Sequence, residues 1–291
     1  LLKSKQHWQF QRKCIGINEG DKEDKLRKYL YAFKLYILDS LHYRFNTVVS
    51  LLFSVINIMV TVFFWVIIFE SGRSQSLNSY SLKNMITYYV VWNIVSAFNL
   101  SNSGFYLNRM IKSGELNSIL IRPYSFTVAN YFEQLAKGII EIIPKFLLVL
   151  VILPLIKGYM AVNQDIINVL FALGFFVVST ISSFLIWSVL GCMSFWIEES
   201  EAVMWSFAVL FNFLSGMFIP LDFFPKWISG LAEFMPTATW GYIPAKIISG
   251  MYSFEKMSVL LCANILSLFV LALIVKIIWV KGIRHYSSIG G

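Results

Sequence analysis

Charge is scarce in this chain: 14% of its 291 residues are Asp, Glu, Lys or Arg, against about a quarter in ordinary soluble domains. Set against 57% hydrophobic residues and a mean hydropathy of +0.67, so few ionic groups exclude a soluble two-domain protein and make the bilayer the expected solvent. Cysteine is sparse as well. Cys14, Cys192 and Cys262 stand far apart, two of them in apolar runs, so neither a disulfide framework nor a CxxC metal site is supported. His7, His42 and His285 are equally scattered and lack the close spacing that metal ligands need. No G-x-x-x-x-G-K-[ST] segment occurs, so the chain holds no nucleotide on a P-loop of its own. A nucleophile elbow, an HExxH motif and a Cys/His cluster are missing too, which leaves intramembrane enzyme chemistry without a carrier. The first forty residues are polar and charged, unlike a cleavable signal peptide; because the chain opens on Leu1, a few residues are expected to precede it.

What is abundant is apolar sequence in long runs. A span needs about 20 mostly apolar residues to cross roughly 30 Å of hydrocarbon. Six stretches meet or approach this: 48–69, 84–107, 139–156, 166–197, 202–219 and 257–280. The second is the most polar, and the third carries Glu141 and Lys145 near its start with Pro144 and Pro154 inside it. The expected fold is therefore an all-α integral membrane protein: a cytoplasmic segment at 1–47, a six-helix transmembrane domain at 48–281 and a cytoplasmic tail at 282–291.

The net charge of +8 does not point to nucleic acid, because the basic residues sit between apolar runs rather than in one interleaved patch. It carries topology instead. Lys28, Lys34, Arg44, Arg109, Lys112, Arg122, Lys137, Lys281 and Arg284 fall on one side of a six-span layout, and Arg73, Lys83, Lys157, Lys226, Lys246 and Lys256 on the other. Nine against six favours both termini inside. Before the first span, Leu26, Leu30, Phe33, Ile37 and Leu41 recur at three- and four-residue steps, with Arg27, Lys28, Lys34 and Asp39 on other faces. This predicts an amphipathic helix lying in contact with lipid along the inner membrane surface; packing on another protein domain is the alternative.

Two connections are longer than bridging requires. Residues 108–138 mix charges with apolar side chains around Gly114 and Pro123, a pattern of short helices that suits a docking surface for a cytoplasmic partner. Residues 220–250 are apolar and aromatic but interrupted by Pro220, Pro225, Pro236 and Pro244. Proline removes a backbone donor and crowds the preceding turn, so short helices re-entering the outer leaflet are expected there. Trp227, Trp240 and Tyr242 also suit plain interface anchoring. On the second span, Asn93, Ser96, Asn99 and Ser103 share one face of a continuous helix, either as packing contacts between helices or as part of a pathway. Glu141 and Lys145, one turn apart, form a candidate buried pair.

Three segments carry a family resemblance: SGELNSILIRP at 113–123, the proline-spaced stretch 220–250 ending in IPAKIISG, and the tail RHYSSIGG at 284–291. The chain resembles, over about 26–291, the permease subunits of ABC-2 type transporters, in particular the bacterial ABC-2 family transporter proteins. The resemblance implies a coupling region between spans two and three, here Ser113, Gly114, Glu115, Leu116, Arg122 and Pro123. It also implies two separate ABC ATPase subunits that carry ATP and Mg, none of either being held by this chain, and a second permease chain, identical or homologous. Such permeases export drugs, peptides, lipids or glycolipids across the plasma membrane. The acidic connection Glu198, Glu199, Glu201 departs from the basic residues expected there. An ion-coupled secondary transporter or channel without an ATPase is the alternative; it calls for paired broken helices and intramembrane charges, of which only Glu141 and Lys145 are in view. An assembly or sensor subunit without transport is a third reading.

Overall fold

The computed structural model describes residues 44–71, 80–121, 125–156, 158, 160–163 and 165–286, and of 44–48, 50, 51, 54, 144, 145 and 148–156 the helical backbone alone. Leu26, Leu30, Phe33, Ile37 and Leu41 of the interface helix, Arg122 and Pro123, and the tail 287–291 lie outside these residues. Among the described residues there are ten α-helices and no strand.

Four helices are long: α1 (Arg44–Ser71), α5 (Phe126–Ile156), α6 (Ile166–Cys192) and α10 (Phe254–His285), with 28, 31, 27 and 32 residues. At about 1.5 Å per residue each is longer than the roughly 30 Å hydrocarbon layer. The helix of α6 extended through Phe195, and α10, meet both the length and the apolarity that crossing requires. The others are short: α2 (Leu82–Ser96), α3 (Asn102–Lys112), α4 (Leu116–Leu120), α7 (Ser200–Leu214), α8 (Lys226–Phe234) and α9 (Tyr242–Ile248).

The second apolar stretch is not one helix. It is α2, a break at 97–101, and α3. Asn99 and Ser101 offer the backbone local alternatives to helical pairing, and the chain tightens there through Phe98 N–H to Val95 O (3.1 Å), Asn99 N–H to Ser96 O (2.9 Å) and Ser101 N–H to Asn99 O (2.8 Å). The amide left over, Leu100 N–H, donates to Ser183 Oγ of α6 at 3.2 Å. A break inside an apolar layer survives because a neighbouring hydroxyl satisfies the freed backbone. The third stretch, expected from 139, belongs to a helix that begins at Phe126. The connection 108–138 is thus the end of α3, a tight turn, α4 and the first turns of α5. The fifth stretch is helical only over the 15 residues of α7, about 22 Å, before the chain turns at Gly216 (φ +75°).

Helix α6 is the axis of the packing. Its buried face is rich in small polar residues, Ser179, Thr180, Ser182, Ser183 and Ser188, which let neighbours approach closely. Helix α3 crosses it glycine to glycine: a Cβ on Gly104 would lie 2.3 Å from Trp187 O, and one on Gly191 2.8 Å from Gly104 O. Two apolar clusters close the ends of the bundle. One gathers Trp65, Tyr80, Tyr88, Tyr89, Phe175, Leu221 and Tyr242; the other joins Leu107, Ile111, Leu116, Ile119, Phe126 and Phe195.

Prolines punctuate the stretch after α7 as proline chemistry dictates. Pro220 and Pro225 immediately precede a 3-10 turn and α8, Pro236 opens a 3-10 turn, and Pro244 sits in the first turn of α9, where the missing N–H has no intrahelical partner to lose.

Candidate functional site

The α3–α4 hairpin is a tightly closed unit. Its turn runs through Ser113, Gly114 and Glu115, with Gly114 at φ +73°, a left-handed conformation that a side chain would strain. Ser113 N–H donates to Arg109 O and Gly114 N–H to Ile111 O (2.9 and 3.3 Å), and Ser118 Oγ returns to Glu115 O at 2.8 Å. Leu116 is wholly buried and Ile119 nearly so, packed with Leu107, Ile111 and Phe126. The opposite face exposes Lys112, Ser113, Glu115, Asn117, Ser118 and Leu120, and Ile121 beside it is 86% exposed. The hairpin thus turns both apolar and charged groups outward.

Beneath the hairpin lies a buried polar knot that the sequence did not single out. Asn108 Oδ1 accepts from Ser194 Oγ (2.9 Å) and from Ser200 Oγ (3.0 Å), and the two hydroxyls are 2.9 Å apart. It ties α3 to the turn after α6 and to the start of α7. A cue existed for Asn108, a polar residue one turn beyond Ser103 and Gly104; nothing local marked Ser194 or Ser200.

The four polar residues of the second stretch do not share one helix face. Asn93 and Ser96 lie on α2, Asn99 in the break and Ser103 on α3. Ser96 Oγ donates to its own helix at Asn93 O, and Asn130 Nδ2 of α5 donates to the Ser103 carbonyl at 3.3 Å. Asn99 Oδ1 and Ser103 Oγ are buried without a hydrogen-bond partner. Asn93 lines a cavity of about 190 Å³ between α1, α2 and the chain after α7, together with Asn57, Thr61, Trp65, Tyr89, Trp92 and Phe218. Among the described residues, Asn57, Thr61 and Asn93 give this aromatic cleft its polar side chains besides the Tyr and Trp rims. Glu141 lies half-buried on α5; the side chain of Lys145 is outside the described residues, and the pair with it.

At the other end, Lys246 of α9 is almost fully buried and donates to Asp222 Oδ1 (2.9 Å), Asp222 Oδ2 (3.1 Å) and Tyr242 Oη (3.1 Å). Its ammonium also stands over the Tyr252 ring, 4.6 Å from the centroid. Tyr80 Oη donates to the same carboxylate at 2.5 Å. Burial and the Asp222 charge beside it push the Tyr80 hydroxyl well above the usual phenol range, so it remains a donor. Glu233 accepts from Tyr252 and pairs with Lys256 at 2.7 Å. The proline-spaced stretch is thus fastened to the segment before α2 and to the first turn of α10.

Long apolar helices, and a helix broken at depth and satisfied by a neighbour, fit an all-helical membrane protein. The chain belongs to the ABC-2 family transporter proteins, whose family profile matches residues 55–290. It is accordingly a membrane permease of the ABC exporter type, a transport component rather than an enzyme. Comparison with curated proteins returns no match.

Proposed function

We propose that the chain is one of two permease subunits of an ATP-driven exporter in the bacterial plasma membrane. It crosses the membrane six times, through α1, the α2–α3 pair, α5, α6, α7 with the turn after it, and α10, with both termini cytoplasmic. The second permease chain is identical or homologous, and two ABC ATPase subunits carrying ATP and Mg dock from the cytoplasm. The stretch 220–250 re-enters the outer leaflet at the exit. Lipid covers the exposed apolar faces and the N-terminal helix.

The single observation that carries this reading is the α3–α4 hairpin, closed on itself by buried Leu116 and Ile119 while Glu115 and its neighbours stay exposed. ATP binding closes the ATPase pair, the hairpin receives the motion, and the permeases switch access to a pathway that Asn93 borders. The drive is the difference in ATP affinity between the two states. The cargo proposed is a drug, peptide, lipid or glycolipid, a range that family membership supports without choosing within it.

Affinity purification of the tagged chain from its native membrane, with identification of partners and an ATPase assay, tests the reading. An ATPase at equal stoichiometry is expected, with Glu115→Ala and Arg122→Ala weakening the coupling of hydrolysis to transport. Purification without any ATPase, together with transport driven by an ion gradient in proteoliposomes, would replace it with an ion-coupled transporter.

A further inference from the structure

Helix α7 is attached to the molecule in an uneven way. Of its 15 residues only Ser200 and Met204 are buried; both touch α3, and Met204 also packs in one cluster with Ile186, Trp187 and Leu190 of α6. Ser200 Oγ donates to Asn108 Oδ1 at 3.0 Å. Met204 lies against Gly104, where a Cβ would stand 2.9 Å from the Met204 methyl. Gly104 and Asn108 are one turn apart on α3, as Ser200 and Met204 are on α7, so the helices meet at two buried points in register, with the Phe105 and Trp205 rings in contact beside them, centroids 4.9 Å apart. The rest of α7 is looser: Trp205 and Val209 are more than half exposed, and Phe211 reaches Trp187 and Trp240 only by ring edges. The N-cap residue of α7, Glu199, makes no side-chain cap hydrogen bond, which leaves Asn108 as the polar anchor of its first turn.

We infer that Asn108 is the positioning residue through which the α3–α4 hairpin moves α7. This rests on the reading of the chain as an ATPase-driven permease and names how the drive leaves the docking hairpin. One acceptor oxygen holds two hydroxyls, one on the turn after α6 and one on α7. A rotation of α3 therefore cannot leave α7 behind without breaking hydrogen bonds in a largely buried site. Leu107 and Ile111, flanking Asn108 on α3, pack into the same cluster as Leu116 of α4, so hairpin and knot move as one body.

The test uses the complete complex, with cysteines at Leu120→Cys on α4 and Val209→Cys on α7 carrying spin labels, Cys14 and Cys262 being replaced by serine. In the parent complex both labels shift on binding a non-hydrolysable ATP analogue. In Asn108→Ala the α4 label still shifts and the α7 label does not, and ATP-driven transport falls about tenfold or more, the size of an ordinary coupling free energy. Ser200→Ala, which removes one hydroxyl and disturbs packing least, gives the same uncoupling should Asn108→Ala fail to insert. The Asn108→Ala, Ser200→Ala double variant is no worse than the worse single one. Labels that both shift in Asn108→Ala as in the parent, or single effects that simply add, overturn the inference while the exporter reading stands. Absence of any ATPase from the parent complex is a different result and sinks that reading instead.

Discussion

At the scale of single residues, close approach of backbones is what this structure depends on most. Gly104 has no room for a side chain, because a Cβ would stand 2.3 Å from the backbone oxygen of Trp187, which cannot swing aside. Gly104→Ala is therefore expected to destabilise the chain by about 1–3 kcal/mol through overpacking, read as a lowered melting temperature in detergent. Gly114 is different: its constraint is the φ of +73° in the hairpin turn, so Gly114→Ala strains the turn by about 1 kcal/mol and leaves the α3–α6 crossing intact. On the proposed docking, a lower apparent affinity for the ATPase, with little change in melting temperature, is the expected pattern. Of these two glycines only Gly114 was legible in the sequence, since a glycine among polar residues marks a turn wherever it falls. Gly104 owes its role to Trp187 and Gly191, some eighty residues away, and no local pattern announces a helix crossing.

At the scale of elements, the stretch after α7 shows the same division. Four prolines foretold short helices, and short helices are what they delimit. The ionic network that fastens those helices was not foretold. Lys246 reads in sequence as one loop charge among six, whereas in the fold it is sealed between Asp222, Tyr242 and Tyr252. Asp222→Ala strips a buried ammonium of its carboxylate. The cost is about 2–3 kcal/mol, at the low end for a broken buried pair because the Asp222 side chain keeps 29% of its exposure. Hydrogen exchange checks it: protection falls in α8 and α9 first and in α6 little. The polar residues of the second span divide for a related reason. Their spacing fits one helix, but Ser183 of α6 stabilises a break at Leu100 that divides the face in two.

At the scale of the molecule, the prediction concerns orientation. On the proposed six-crossing layout the basic excess on the terminal side favours both ends inside, so tags on the two termini are expected to be protected from protease in intact cells and cleaved only after lysis. On that proposed layout lipid covers the large exposed side chains of α1, Phe53, Ile56, Phe63 and Phe64 among them.

The sequence alone determined the solvent, the helical class and the family, because hydrocarbon admits only backbones that satisfy their own hydrogen bonds and long apolar runs declare themselves at any position. It also marked the turn of the α3–α4 hairpin, whose turn residues and charges are local features. Tertiary structure decided where the second span breaks, which glycines carry a crossing, which lysine is buried, and that Asn108 joins α3 to α7. Each of these depends on a hydrogen bond or a steric contact between residues far apart in the chain, and such contacts exist only once the helices have packed.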